Sequence, residues 1–170
     1  MNDNDAAWEQ RVEALWAAFD EHTEADFLDR IEALAAARPP GNAAALFERA
    51  AAQDSTGHPA LAVPLYRAAL AAGLQGLRRR RAVIQMASSL RNLGDPAEAA
   101  ALLSAELDQP SDTLDAAVRA FLALALVDLK REREAVSVSL TALAPLLPRY
   151  NRSLARYAQA LLDDESPPTG

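Results

Sequence analysis

Three columns of residues recur along this chain in lockstep, and the repetition limits its possible folds more than any other feature. Ala50, Ala87 and Ala123 form one column, Ala62, Ala99 and Ala135 a second, and Leu70, Leu107 and Leu143 a third, each stepped by 37 and then 36 residues. A period of about 20 to 50 residues marks an architecture that stacks one supersecondary unit on the next. Within each unit the two alanines lie 12 residues apart, across a turn. Small side chains there let antiparallel helices approach closely. The leucine is expected to pack near the end of the second helix.

The turns carry signals of their own. Gly94-Asp95-Pro96 reads as a helix stop, an Asp N-cap and a proline at the first helical position, and Gly57-His58-Pro59 repeats that layout 37 residues earlier. Val83, Met86, Ala87, Leu90 and Leu93 follow helical spacing, as do Leu122, Ala123, Leu126 and Leu129. Helices are expected at about 5–20, 24–38, 43–54, 59–73, 78–93, 96–108, 113–129, 132–147 and 150–163. Pro64 predicts a kink or a late helix start. The fold class is all-α, an α-solenoid of antiparallel helical hairpins with about nine helices. Pro39-Pro40-Gly41 separates an acidic amphipathic hairpin, residues 1–38, from repeats with a C-terminal capping helix over 43–165. The hairpin is expected to cap the array as a degenerate repeat, with occupation of the chain's own basic face or a dimer contact as the alternatives, and residues 166–170 to form a disordered tail.

Composition narrows the function classes. With no cysteine, a disulfide framework and a thiolate metal site are excluded. The longest apolar run, Ala120 to Val127, is too short to span a bilayer, and the acidic start Met1-Asn2-Asp3-Asn4-Asp5 is unlike a signal peptide. A cytoplasmic protein without membrane contact is expected. Residues 1–38 hold ten acids against three arginines, which equals the whole chain's net charge of −7 and leaves the remainder balanced. A balanced body lacks the net basic face that nucleic-acid binding needs.

His22 and His58 show no metal-ligand spacing and are read as solvated capping residues at turns. Glu132 with Glu134, and Asp163 with Asp164, read as solvated helix ends. There is no phosphate loop and no nucleophile beside a base, so no catalytic residue, metal site or cofactor is expected.

The units resemble the tetratricopeptide repeat, whose helical hairpins carry small residues at the crossing and a Gly-Asp type of turn. The likeness covers about residues 43–147, with a further half-unit in Leu154, Tyr157, Ala158 and Leu161. The stretches Ala45 to Ala50, Val63 to Arg67, Arg78 to Gln85, Ser89 to Gly94 and Arg149 to Leu154 are similar to the small bacterial group-five members of that family. The resemblance implies protein binding, as a monomer or a dimer, and brings no catalytic residues. Three departures stand out: units longer than the usual ~34 residues, Glu106 in place of a small residue, and Arg49 and Arg119 at positions that are apolar in the family.

Arg78 to Arg81 open a helix, where the macrodipole disfavours cations, so local helix stability does not account for them. In repeats of this type the first helix of each hairpin lines the concave groove, and the resemblance therefore places Arg81, Ile84, Gln85, Ser88, Arg91 and Asn92 there. The helix around 113–129 is apolar on nearly every side. Leu122, Ala123 and Leu126 serve the core, while Phe121, Leu124 and Val127 need cover from the terminal helix, a second subunit or a ligand. The expected function is non-catalytic binding of a protein or peptide with an acidic amphipathic segment. Phe47, Ile84, Phe121, Leu124 and Val127 would be the apolar anchors, and Arg81, Arg91, Arg152 and Arg156 the partners for carboxylates. The alternatives are a structural homodimer that consumes the apolar surface and the Trp8/Trp16 hairpin, and an accessory subunit of an enzyme.

Overall fold

The computed structural model describes residues 3–163, which form nine α-helices and two short 3-10 turns, with no strand among the described residues. Helices α1 (Asp3–Ala17) and α2 (Glu24–Ala36) are followed by α3 (Ala43–Ser55), α4 (Pro59–Ala71), α5 (Gly76–Asn92), α6 (Pro96–Leu107), α7 (Asp115–Asp128), α8 (Glu132–Leu143) and α9 (Asn151–Asp163). These bounds follow the local signals in the chain closely because several are set by caps. Thr23, Asn42 and Asp95 each accept a hydrogen bond from the backbone N–H three residues on, and Pro59 and Pro96 open α4 and α6.

Helix α4 starts at Pro59 and runs through Pro64, so of the kink or late start expected there the late start is excluded. One detail differs from expectation. The last turn expected of α8 is instead a 3-10 turn, Ala144–Leu146, because Pro145 has no N–H with which to continue the α-helical ladder. The tail expected at 166–170, and Asp164, lie outside the described residues.

The turn that ends the first helix of each hairpin is built three times alike. Gly57 (φ 86°) and Gly94 (φ 90°) adopt the left-handed conformation, and in the third copy Lys130 (φ 63°) takes that place. The N–H of the next residue bonds back to the carbonyl five residues earlier in all three: His58 to Gln53 at 2.8 Å, Asp95 to Leu90 at 2.9 Å and Arg131 to Leu126 at 2.9 Å.

The chain forms two compact units, one ending at Ser89 and the other beginning at Leu90, so that the division falls within α5. In the first unit Trp8, Val12 and Leu15 of α1 pack with Phe27, Ile31 and Leu34 of α2 against Ala45 and Ala52 of α3. The front hairpin thus shares one core with the first repeat. Ala50 and Ala62 are fully buried in the same unit, which is what a close α3–α4 crossing requires. In the second unit Val118, Leu122 and Leu126 of α7, Leu103 of α6 and Ala135 of α8 are buried. The Ser137 hydroxyl of α8 donates to the Ala158 carbonyl of α9 at 2.7 Å.

The leucine column is corrected. Leu70 and Leu107 are only half-buried and Leu143 is 44% exposed, whereas Ala69 and Glu106, one residue earlier, are buried. A step of one residue turns a helix by about 100°, enough to move a side chain off the core face. Arg49 and Arg119 stay half-buried; Arg49 pairs with Glu32 at 2.7 Å. Among the described residues no helix is long and apolar enough to cross a membrane.

Candidate functional site

The run Arg78 to Arg81 meets the acidic front of its own chain. Arg78 donates from Nη1 to Glu9 Oε1 at 2.9 Å and from Nη2 to Glu9 Oε2 at 2.7 Å, and its Nη2 also lies 2.9 Å from Glu48 Oε1. Glu48 is buried on α3, and its second oxygen accepts the indole N–H of Trp16 at 2.7 Å. These two carboxylates, one guanidinium and one indole tie α1 to α3 and α5. The hydrogen bond from Arg78 holds the Glu9 carboxyl below its ordinary range, and the bond to Glu9 in turn holds the Arg78 proton more firmly.

Aromatic rings complete the contact. The guanidinium carbons of Arg38 and Arg78 lie 5.0 and 5.8 Å from the Trp8 ring centroid, and those of Arg78 and Arg81 lie 5.7 and 5.2 Å from the Phe47 centroid. Arg38 also pairs with Asp5 at 2.7 Å. A cleft of about 370 Å³ persists among Glu9, Val12, Glu13, Trp16, Glu48, Arg78 and Arg81. Glu9 and Glu48 went unnoticed as functional residues in the sequence, where the available hint was the acid excess of residues 1–38 facing a run of four arginines, and Trp16 was read only as a dimer contact.

The expected site residues divide by unit. In the first, Phe47 and Ile84 are buried, so neither offers apolar surface to a partner; Phe47 lies beneath the arginines and beside Tyr66. Arg81 is exposed, and Gln85 and Ser88 are half-buried. Next to them Ser89 is fully buried and donates to Asp54 Oδ1 at 2.6 Å, and the buried Tyr66 hydroxyl donates to Asp54 Oδ2 at 3.3 Å. Burial pushes the Asp54 carboxyl above its ordinary range, and burial next to Asp54 pushes the Tyr66 phenol well up. This cluster holds its protons firmly and fixes α3, α4 and α5 to one another.

In the second unit Leu124 and Val127 of α7 are each 45% exposed and Phe121 is half-buried, so the described fold does not cover the surplus apolar face of α7. Arg91 pairs with Asp128 at the end of that helix, at 2.5 Å, and Asn92, Arg152 and Arg156 are exposed. The terminal helix adds exposed Tyr157, and Tyr150 before it is exposed with φ 68°.

The histidines stand at cap positions, His58 partly exposed there, and each also meets a carboxylate. His22 Nδ1 lies 2.6 Å from Asp26 Oδ2 and His58 Nε2 lies 2.7 Å from Glu24 Oε1. Among the described residues no group of three or more His, Asp and Glu side chains is placed to hold a metal ion. Trp8 is buried within its own unit, its indole N–H donating to the Leu34 carbonyl at 2.8 Å, which leaves it no free face for a dimer.

A family model described as tetratrico peptide repeat matches residues 43–161. No curated protein and no solved structure matches the chain.

Proposed function

This chain belongs to the tetratricopeptide-repeat family, and on that footing we propose that it is a non-catalytic module that holds a polypeptide partner. The family generally mediates protein–protein interaction. The observation that carries the reading to particular residues is the pair Leu124 and Val127, each 45% exposed on a helix whose other face, Leu122, Ala123 and Leu126, is buried. An apolar stripe three residues apart on a helix suits the anchor side chains of an amphipathic segment. Arg152 and Arg156, exposed in the same unit, supply cations for carboxylates on that segment, whereas Arg91 is already paired with Asp128. The partner is accordingly an acidic amphipathic stretch of protein, and its binding needs no cofactor. The front hairpin acts as the cap of the array, a role supported by the burial of Trp8, Val12 and Leu15 against α2 and α3. The likeness to small bacterial group-five members and a cytoplasmic location belong to the same reading.

The test is affinity capture with the full chain from an extract of the cells that make it, comparing the wild type with Leu124→Asp/Val127→Asp. At least one polypeptide held by the wild type should be lost from the double variant. Identical captured sets contradict the proposal. A wild type that sediments as a dimer, and a variant that sediments as a monomer, would assign the strip to self-association.

A further inference from the structure

We propose that α1 is a built-in occupant of a second docking surface, on α2, α3 and α5 of the first unit, and that an acidic amphipathic helix from a partner takes its place there. The inference rests on the chain being a polypeptide-binding module and names the chemistry and regulation of a surface in the first unit, whereas the α7 strip belongs to the second.

The surface is basic and aromatic, and α1 is its complement. Arg78 and Arg81 lie over the ring of Phe47 on α3, Arg38 and Arg78 lie over Trp8 of the docked α1, and Arg38 and Arg78 pair with Asp5 and Glu9 of that helix. Beneath them the buried Glu48 accepts the Trp16 indole N–H while also pairing with Arg78. The docked helix is therefore read at a carboxylate by a two-pronged guanidinium, at an indole N–H by a buried carboxylate, and along Trp8, Val12 and Leu15 by an apolar cluster. Each of these features sits on one short helix, so another helix that presents a carboxylate and bulky apolar side chains at the same spacing satisfies the same groups. Exchange of like for like regains the buried area that is lost when α1 leaves, so the free-energy difference between the two states is set mostly by the polar contacts.

The cleft beside α1 gives an incoming helix a point of entry. Glu13 on α1 and Arg81 on α5 both line it, and Arg81 is exposed. A partner carboxylate that reaches Arg81 makes its first contact before α1 has left.

The experiment uses the full chain and a fluorescein-labelled peptide with the sequence of residues 3–22, read by anisotropy. Glu9→Arg sets a cation against Arg78 and loosens α1, so the peptide should bind this variant about ten-fold or more tighter than it binds the wild type, the factor expected for loss of a charge-assisted hydrogen bond. Arg78→Glu should refuse that peptide and accept instead a peptide carrying arginine in place of Glu9, which in turn should not bind the Glu9→Arg chain. Because either reversal can be read alone, a folding failure of one, seen by circular dichroism, leaves the other as the test. Equal binding of both peptides to all three chains, or no binding to any, overturns the proposal. So does a Glu9→Arg chain that sediments as a dimer and resists the peptide, since the occupant would then be α1 of a second copy. A chain that loses its captured partner on Leu124→Asp/Val127→Asp, yet shows no peptide exchange, refutes this inference and keeps the function proposed above.

Discussion

Arg78 closes both of its terminal nitrogens on the Glu9 carboxylate, 69 residues earlier in the chain, at 2.9 and 2.7 Å. The pair gives the attachment of α1 a definite pH dependence. Because Arg78 holds the Glu9 carboxyl below its ordinary value of 4.5, the stabilisation is fully present above that pH and is lost as pH falls through the lower, folded-state value. Glu9→Gln should lower stability at pH 7 by about 1 kcal/mol, a modest figure because the pair is partly exposed to screening. Denaturant midpoints of variant and wild type should converge in strong acid; a gap that stays constant down to pH 2 would contradict the assignment.

Asp54 should behave in the opposite sense. Burial raises its carboxyl above the ordinary value of 3.8, so the folded state binds the proton more tightly than the unfolded chain, and stability falls as pH rises through that window. Asp54→Asn removes the fall. The midpoint of the variant relative to wild type should therefore rise between pH 3 and pH 7, and a relative midpoint that drops instead would sink the assignment.

Lys130 stands at φ 63° where the two earlier repeats have glycine. A non-glycine side chain in the left-handed region is strained, and a Cβ at Gly57 or Gly94 would meet nothing within 4 Å, so the difference among the three turns is conformational and not steric. Lys130→Gly should stabilise the chain by about 0.5–1 kcal/mol, and Gly94→Ala should cost a similar amount. Thermal midpoints measure both.

Turn chemistry also shows what was legible in the sequence. Asp95, Pro59 and Pro96 act on their own helix, so local spacing sufficed to place α4 and α6. Lys130 escaped notice because a left-handed lysine has no compositional mark, although a step of 36 residues from Gly94 points to it. The alanine columns were found as repeats and are buried. The leucines were misplaced because a hydrophobic residue beside a core position keeps the period of the core without its direction. Phe47 and Ile84 were read as surface anchors, yet they are buried, and no local pattern announces the Arg78–Glu9 contact that closes over this region. Ion pairs between distant segments leave no periodic trace.

Helix crossing should be sensitive at the alanines and tolerant at the third column. Ala50→Leu or Ala62→Leu forces extra methylenes between α3 and α4 and should cost about 1–3 kcal/mol. Leu143→Ala, at a side chain already 44% exposed, should change stability by well under half of that. Equal effects at Ala62 and Leu143 in denaturant titrations would contradict the packing described.

The most direct test of partner binding on α7 is hydroxyl-radical footprinting of the full chain, alone and in the complex it forms with a captured polypeptide. Leu124 and Val127 are open to label in the free chain, and the account predicts several-fold protection of both in the complex, with the buried Leu122 and Leu126 unchanged. Equal labelling of Leu124 and Val127 with and without the partner would contradict it.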